Sequence, residues 1–140
     1  MIPKRLMIGL GAALGLFLLG ASLPVSAHHS FAMFDHNRSI YVIGTVTNFQ
    51  WSNPHVFLDV DAPQPDGSVK HYSIECMSVS MLKRAGWNSR TFQPGDKVKV
   101  LIAPLLNGQN GGLILKVTKD GETMIAPVPA ANTFQREATE

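Results

Sequence analysis

Five histidines follow position 27: His28, His29, His36, His55 and His71. Imidazole is the commonest side-chain ligand for transition metals, and the first two histidines stand directly after a stretch that looks like a processing site. A cut after Ala27 would make His28 the N-terminal residue. Its α-amine and imidazole Nδ1 would then chelate one metal as a pair, and another imidazole would complete a three-nitrogen, T-shaped set that suits Cu(II). A cut after Ser26 would instead expose Ala27-His28-His29. The amine, two backbone amides and the third-position imidazole would then form a square-planar site for Cu(II) or Ni(II). His55 is the expected partner, since it follows a proline turn and opens a strand on its polar phase. Asn53 is placed to hold its other ring nitrogen. His36 and Met33 are close enough in sequence to add to such a site, whereas His71, beside Lys70, reads as a surface residue. The competing explanation is that terminal histidines bind copper adventitiously and that His55 only hydrogen-bonds its own turn.

Catalytic patterns are missing. The chain has no GxSxG, HExxH or CxxC, and nothing in the sequence brings Glu75-Cys76 to a histidine. Asp59 and Asp61 alternate along one strand and share a face, which a solvated strand surface explains without invoking a carboxylate pair. Cys76 is the only cysteine, so no internal disulfide exists. Lying between a strand-like and a helix-like run, it is expected to be buried. A non-enzymatic protein is the expectation.

The processing site belongs to a signal-peptide pattern over residues 1–27. Lys4 and Arg5 form a positive start, Ile8 to Leu19 is uncharged and apolar, and Pro24 is followed by small or short residues at Val25 and Ala27. The run is shorter than the ~20 apolar residues of a spanning helix, so cleavage and a periplasmic location are expected over an uncleaved anchor, and membrane contact only through this segment before cleavage. Exported copper carriers and lytic polysaccharide monooxygenases use an N-terminal histidine in the manner described above, and the chain is similar to them in that one feature. Lys4 and Arg5 leave with the signal, which reduces the formal charge of +2 on 12 basic and 10 acidic residues to ten of each. A neutral mature chain lacks the electrostatic footprint of a nucleic-acid binder.

These residues need a scaffold, and residues 28–140 are enough for one small domain. Residues 28–38 read as an N-terminal arm, 39–128 as the folded domain and 129–140 as a polar, disordered tail. Strands are expected at 40–51, with Gly44 as a bulge or bend, at 55–62 with Val56, Leu58 and Val60 inward, and at 68–75 with Tyr72 and Ile74 inward. Ser78 can cap a short helix, with Met77 and Leu82 as a hydrophobic staple and Gly86 as its stop. Strands resume at 97–103, where Val98, Val100 and Ile102 alternate with lysines. The last strong strand is 113–119, with Leu113, Leu115 and Val117 on one face, after a loop with three glycines at 107–112. Residues 122–128 could add an edge strand.

Three strands, a helix and two strands is the order of a small all-β, OB-like, five-stranded Greek-key barrel, with the helix between strands 3 and 4. A small β-sandwich of the same strands is the alternative. Phe49, Trp51 and Phe57 could form an aromatic face, but cations do not surround them as a single-strand binder requires. Core or lid packing explains them better. A second function remains open: an accessory module whose face at Trp51, Asn53, His55 and Trp87 contacts a periplasmic protein or small ligand.

The sequence resembles a family of small, exported bacterial proteins of unknown function. The resemblance is carried by His28-His29-Ser30-Phe31 and by Trp51-Ser52-Asn53-Pro54-His55. It continues through Glu75, Leu82, Arg84 and Gly86-Trp87, then Pro94-Gly95-Asp96. It implies a periplasmic β-barrel domain and supplies no activity.

Overall fold

The computed structural model describes residues 31–130 and 133–138. The signal segment, His28 and His29 lie outside the described residues. The elements are β1 (Ile40–Gln50), β2 (Phe57–Pro63), β3 (Val69–Glu75), α1 (Val79–Arg84), β4 (Lys97–Pro104), β5 (Gly111–Lys119) and β6 (Glu122–Ile125).

Antiparallel ladders join them in the order β3-β2-β1-β4-β5-β6, and a parallel ladder between β3 and β5 closes the first five strands on themselves. The two edges of β5 are fully used. One pairs with β4; the other is divided between β3, opposite Gly111 to Leu113, and β6, opposite Lys116 to Lys119. The result is the expected OB-like barrel with its helix between β3 and β4. One continuous sheet runs around the barrel, so the two-sheet sandwich is excluded.

Alternation decides which side chains enter. On β2, Leu58, Val60 and Ala62 are buried, and across β1 and β4 the rows Val42–Val100 and Gly44–Val98 meet inside. Two bulges reset the phase. β1 skips Thr47, so Val46 pairs with Val60 and Phe49 with Leu58, both rows inward. The expected irregularity therefore falls at Thr47, not at Gly44. β5 skips Leu115, so Ile114 pairs with Ile102 and Val117 with Val100. Leu113, Leu115 and Val117 are all buried, but the bulge separates Leu113, which pairs with Ala103, from the inward row of Ile114 and Val117.

Gly44 has a different role. A Cβ there would stand 2.1 Å from the Asp61 carbonyl oxygen, where β1 and β2 nearly touch. Gly111 and Gly112, expected in a loop, begin β5. A Cβ would stand 2.7 Å from the Ser73 oxygen at the first and 2.3 Å from the Ala103 oxygen at the second. These two residues lack side chains because β3, β4 and β5 converge there.

α1 is short and held at both ends. Ser78 Oγ accepts the Met81 amide at 3.4 Å, and Met77 and Leu82 are buried together as the staple. At the other end Gly86 takes a positive φ of 88°, the Gly86 amide donates to Lys83 and the Trp87 amide to Leu82, each at 3.0 Å. This is a Schellman stop, and Trp87 goes into the core beneath it.

The arm and tail lock together outside the barrel. Phe34 is buried and bridges to Leu105, while the Asp35 amide donates to the Pro104 oxygen at 2.8 Å. Over its described part the tail packs against the arm. Phe134 is only 5% exposed and stacks on His36 at 4.1 Å between centroids. The Gln135 amide donates to the His36 oxygen at 2.9 Å, and Ser39 Oγ to the Glu137 oxygen at 2.5 Å. One aromatic residue in a polar segment provides the anchor that composition hid. Phe134→Ala is expected to lower stability by ~3 kcal/mol, the usual cost of emptying a buried aromatic site. A urea melt indistinguishable from the parent's would contradict the docked tail.

Candidate functional site

The turn after β1 and the end of β3 build the site. Trp51-Ser52-Asn53-Pro54 reverses the chain, with a cis Asn53–Pro54 peptide. His55 then enters just before β2. The β2–β3 register pairs Phe57 with Glu75 and continues past the strand ends: the Cys76 amide donates to the Val56 oxygen at 2.7 Å and the Val56 amide to the Met77 oxygen at 3.2 Å. His55 is thereby held beside the end of β3.

Its Nδ1 lies 3.0 Å from Glu75 Oε1 and 3.3 Å from the Cys76 carbonyl oxygen. A carboxylate and a carbonyl oxygen only accept, so Nδ1 carries a proton and donates. Nε2 has no protein partner among the described residues. The His55 side chain is 30% exposed and that of Glu75 16%. Burial pushes the Glu75 carboxyl above the ordinary carboxylate range, and the neighbouring His55 charge works in the opposite direction. An imidazole fixed through one nitrogen by a carboxylate and a carbonyl presents the other as an oriented ligand or base.

The remaining candidates are placed elsewhere. Asn53 is exposed and does not hold His55; Glu75 and Cys76 do. His36 faces carbonyl oxygens with both ring nitrogens, Nδ1 that of Thr133 and Nε2 that of Phe31, each at 3.1 Å. Met33 is exposed on the arm, its carbonyl receiving the Leu106 amide. His71 is a surface residue paired with Asp61. Asp59 accepts from Asn48 at 3.0 Å and from Ser73 at 2.9 Å, so the two aspartates of this face have separate partners. Among the described residues, no three His, Cys, Asp or Glu side chains gather as a metal cage.

The aromatic residues pack as core and lid, and Trp87 of the expected ligand face lies inside. Trp87 is 3% exposed and meets Phe92 edge-on at 5.5 Å, and Phe92 meets Phe49 at 5.2 Å. Trp51 is half-buried at 5.6 Å from Phe49. The rings pack on one another as a lid. Cys76 is fully buried, which pushes its thiol far up, with the Glu75 and Asp59 charges adding to the effect. Its Sγ faces the Ile74 oxygen. The cysteine thus meets His55 only through its backbone, and no thiol nucleophile is assembled. Asp96 is a clamp, accepting from Lys119 at 2.6 Å and from the Gln93 amide at 2.8 Å.

A family model matches residues 15–116, described as a family of unknown function (DUF6152). The chain belongs to that family. The match includes His28, His29, His55 and Glu75, and it assigns none of them a role. No curated protein matches the chain in sequence. Among solved structures, the mitochondrial single-stranded DNA binding protein Rim1 of S. cerevisiae is similar at 12% identity and a TM-score of 0.45, over 59% of this chain and 92% of that one.

The raised Glu75 carboxyl has a consequence for stability. A folded-state value above the unfolded one means that the folded protein binds the proton more tightly. The stabilisation is complete below the ordinary range near 4.5 and fades as pH rises through the folded titration. Stability measured by urea from pH 4 upward should therefore include a falling component that Glu75→Gln removes. Parallel profiles for parent and variant would show that the carboxylate is not held as described.

Proposed function

We propose that this DUF6152 protein is an exported, non-enzymatic copper-binding barrel, in which His55 presents Nε2 to a metal carried by the N-terminal His28 or His29. The observation that carries this reading is the division of labour in one ring: Nδ1 is tied to Glu75 and the Cys76 oxygen, and Nε2 has no protein partner among the described residues. Metal-binding histidines are held in this way, with the far nitrogen on a carboxylate or carbonyl. A turn that needed His55 only for itself would have no use for a half-buried carboxylate placed against it. The remaining donors are the amine and imidazole that cleavage after Ala27 would create, or the amine, amides and His29 imidazole created by cleavage after Ser26. The apolar segment before them supports a periplasmic address. The burial of Cys76 suits an oxidising compartment, where an accessible lone thiol would cross-link.

The test uses the protein recovered after export, its first residue read by mass spectrometry. Cu(II) titration with EPR should reveal one nitrogen-rich site. His55→Ala should weaken binding by about tenfold or more and change the spectrum, and Glu75→Gln should weaken it within the ~10–100-fold range of outer hydrogen-bond partners. Affinity and spectrum unchanged in His55→Ala would reduce the site to adventitious chelation by the terminus.

A further inference from the structure

The ten basic and ten acidic residues that follow position 27 are unevenly spread around the barrel. The outward rows across β1, β4, β5 and β6 follow from the register. Tyr41, Leu101, Lys116 and Ile125 form one row, in which Leu101 is buried, and Ile43, Lys99, Thr118 and Thr123 form the next. Thr45 and Lys97 begin a third, which passes from Lys97 through Thr45 to Asp61 on β2. None of the ten positions on β1, β4, β5 and β6 carries a carboxylate. Asp59, Asp61 and Glu75 all stand on the β2–β3 wall instead. Among the described residues no ion pair neutralises Lys97, Lys99 or Lys116. Two of these ammonium groups converge on one ring: Lys99 Nζ is 4.1 Å and Lys116 Nζ 5.7 Å from the Tyr41 centroid. Like charges gathered over an aromatic face, with no ion-pair partner among the described residues, favour an added anion.

Apolar groups occupy the spaces between the cations. Ile43 is 62% exposed and Ile125 59%. Beside Ile43 runs a groove of about 410 Å³ floored by Ile43, Pro63 and Val98 and flanked by Lys97 and Lys99. From this combination we infer that the outer β1–β4–β5 face docks on a bilayer surface of anionic phospholipid. The lysines meet the phosphodiester headgroups, and Tyr41, Ile43 and Ile125 enter the interfacial layer. Lysine stems, a tyrosine and isolated aliphatic residues suit that interface, and anionic headgroups attract clustered lysines. A nucleic-acid strand would call for successive stacking rings, and this face offers one. None of these residues belongs to the His55 site, so this inference and the copper reading stand or fall separately.

The experiment is sedimentation of the exported protein, its N-terminus verified, with vesicles of phosphatidylglycerol and phosphatidylcholine or of phosphatidylcholine alone. Partition should favour the anionic vesicles and decline with salt. The combined Lys97→Gln, Lys99→Gln, Lys116→Gln variant should bind them about tenfold or more weakly, and Lys116→Glu alone should weaken binding in the same direction. Ile43→Ser with Ile125→Ser should remove the part that resists salt. All these positions face solvent, and unchanged thermal midpoints would establish that the variants fold. Equal partition onto neutral vesicles, or full binding by the triple variant, would overturn the proposal. So would tighter binding to a single-stranded oligothymidine than to anionic vesicles, which would assign the face to nucleic acid.

Discussion

The barrel depends on how closely three backbones approach at the start of β5. Gly111 and Gly112 sit where β3, β4 and β5 converge, and any side chain there would enter a carbonyl oxygen. That convergence permits the parallel β3–β5 ladder, and the ladder turns a sheet into a closed barrel. Closure leaves few unpaired strand edges and defines one interior for Val42, Val60, Val100 and Val117. Gly44 serves a similar purpose between β1 and β2. Without these glycines the alternating strands would still be amphipathic, but they would have no common inside.

The same closure positions the chemistry. Because β3 is held by both β2 and β5, its end at Glu75 is a fixed point, and the hairpin register brings His55 to it. The segments quoted for the family resemblance separate in the structure into two kinds. Gly86 and Trp87 end the helix and fill the core, and Asp96 clamps the start of β4 to the end of β5 through Lys119. His55 and Glu75 instead meet at a partly exposed rim, which neither core packing nor a turn requires.

Local patterning carried most of the fold. Period-two alternation in Leu58, Val60 and Ala62 and in Val98, Val100 and Ile102 reveals strands, and Ser78 and Gly86 mark the helix ends, because these signals reside in neighbouring residues. The bulges at Thr47 and Leu115 were not legible, since skipping a residue is a property of two paired strands. Gly111 and Gly112 read as loop for the same reason: their partners lie on other strands. Within the site, His55 was legible from its turn and phase. Glu75 could have been found by extending the β2–β3 hairpin register from its turn at Pro63 to Val69. Trp87 suggested a binding face because indole serves ligands and cores alike, and only the Schellman turn directs it inward. The cationic wall has no local signature, because Lys99 and Lys116 become neighbours only through the β4–β5 ladder.

The clasp between arm and tail has a further implication for how the molecule is made. His36 and Thr133 are 97 residues apart, as nearly are Ser39 and Glu137. Contacts of such long range close most of the described residues into a ring, which defers them to late in folding. During synthesis the barrel strands can pair before Phe134 exists, but Phe31 and His36 must wait for it. The segment around Phe134 therefore acts as a seal, and a chain lacking it would retain the barrel while leaving Phe31 and His36 without their cover.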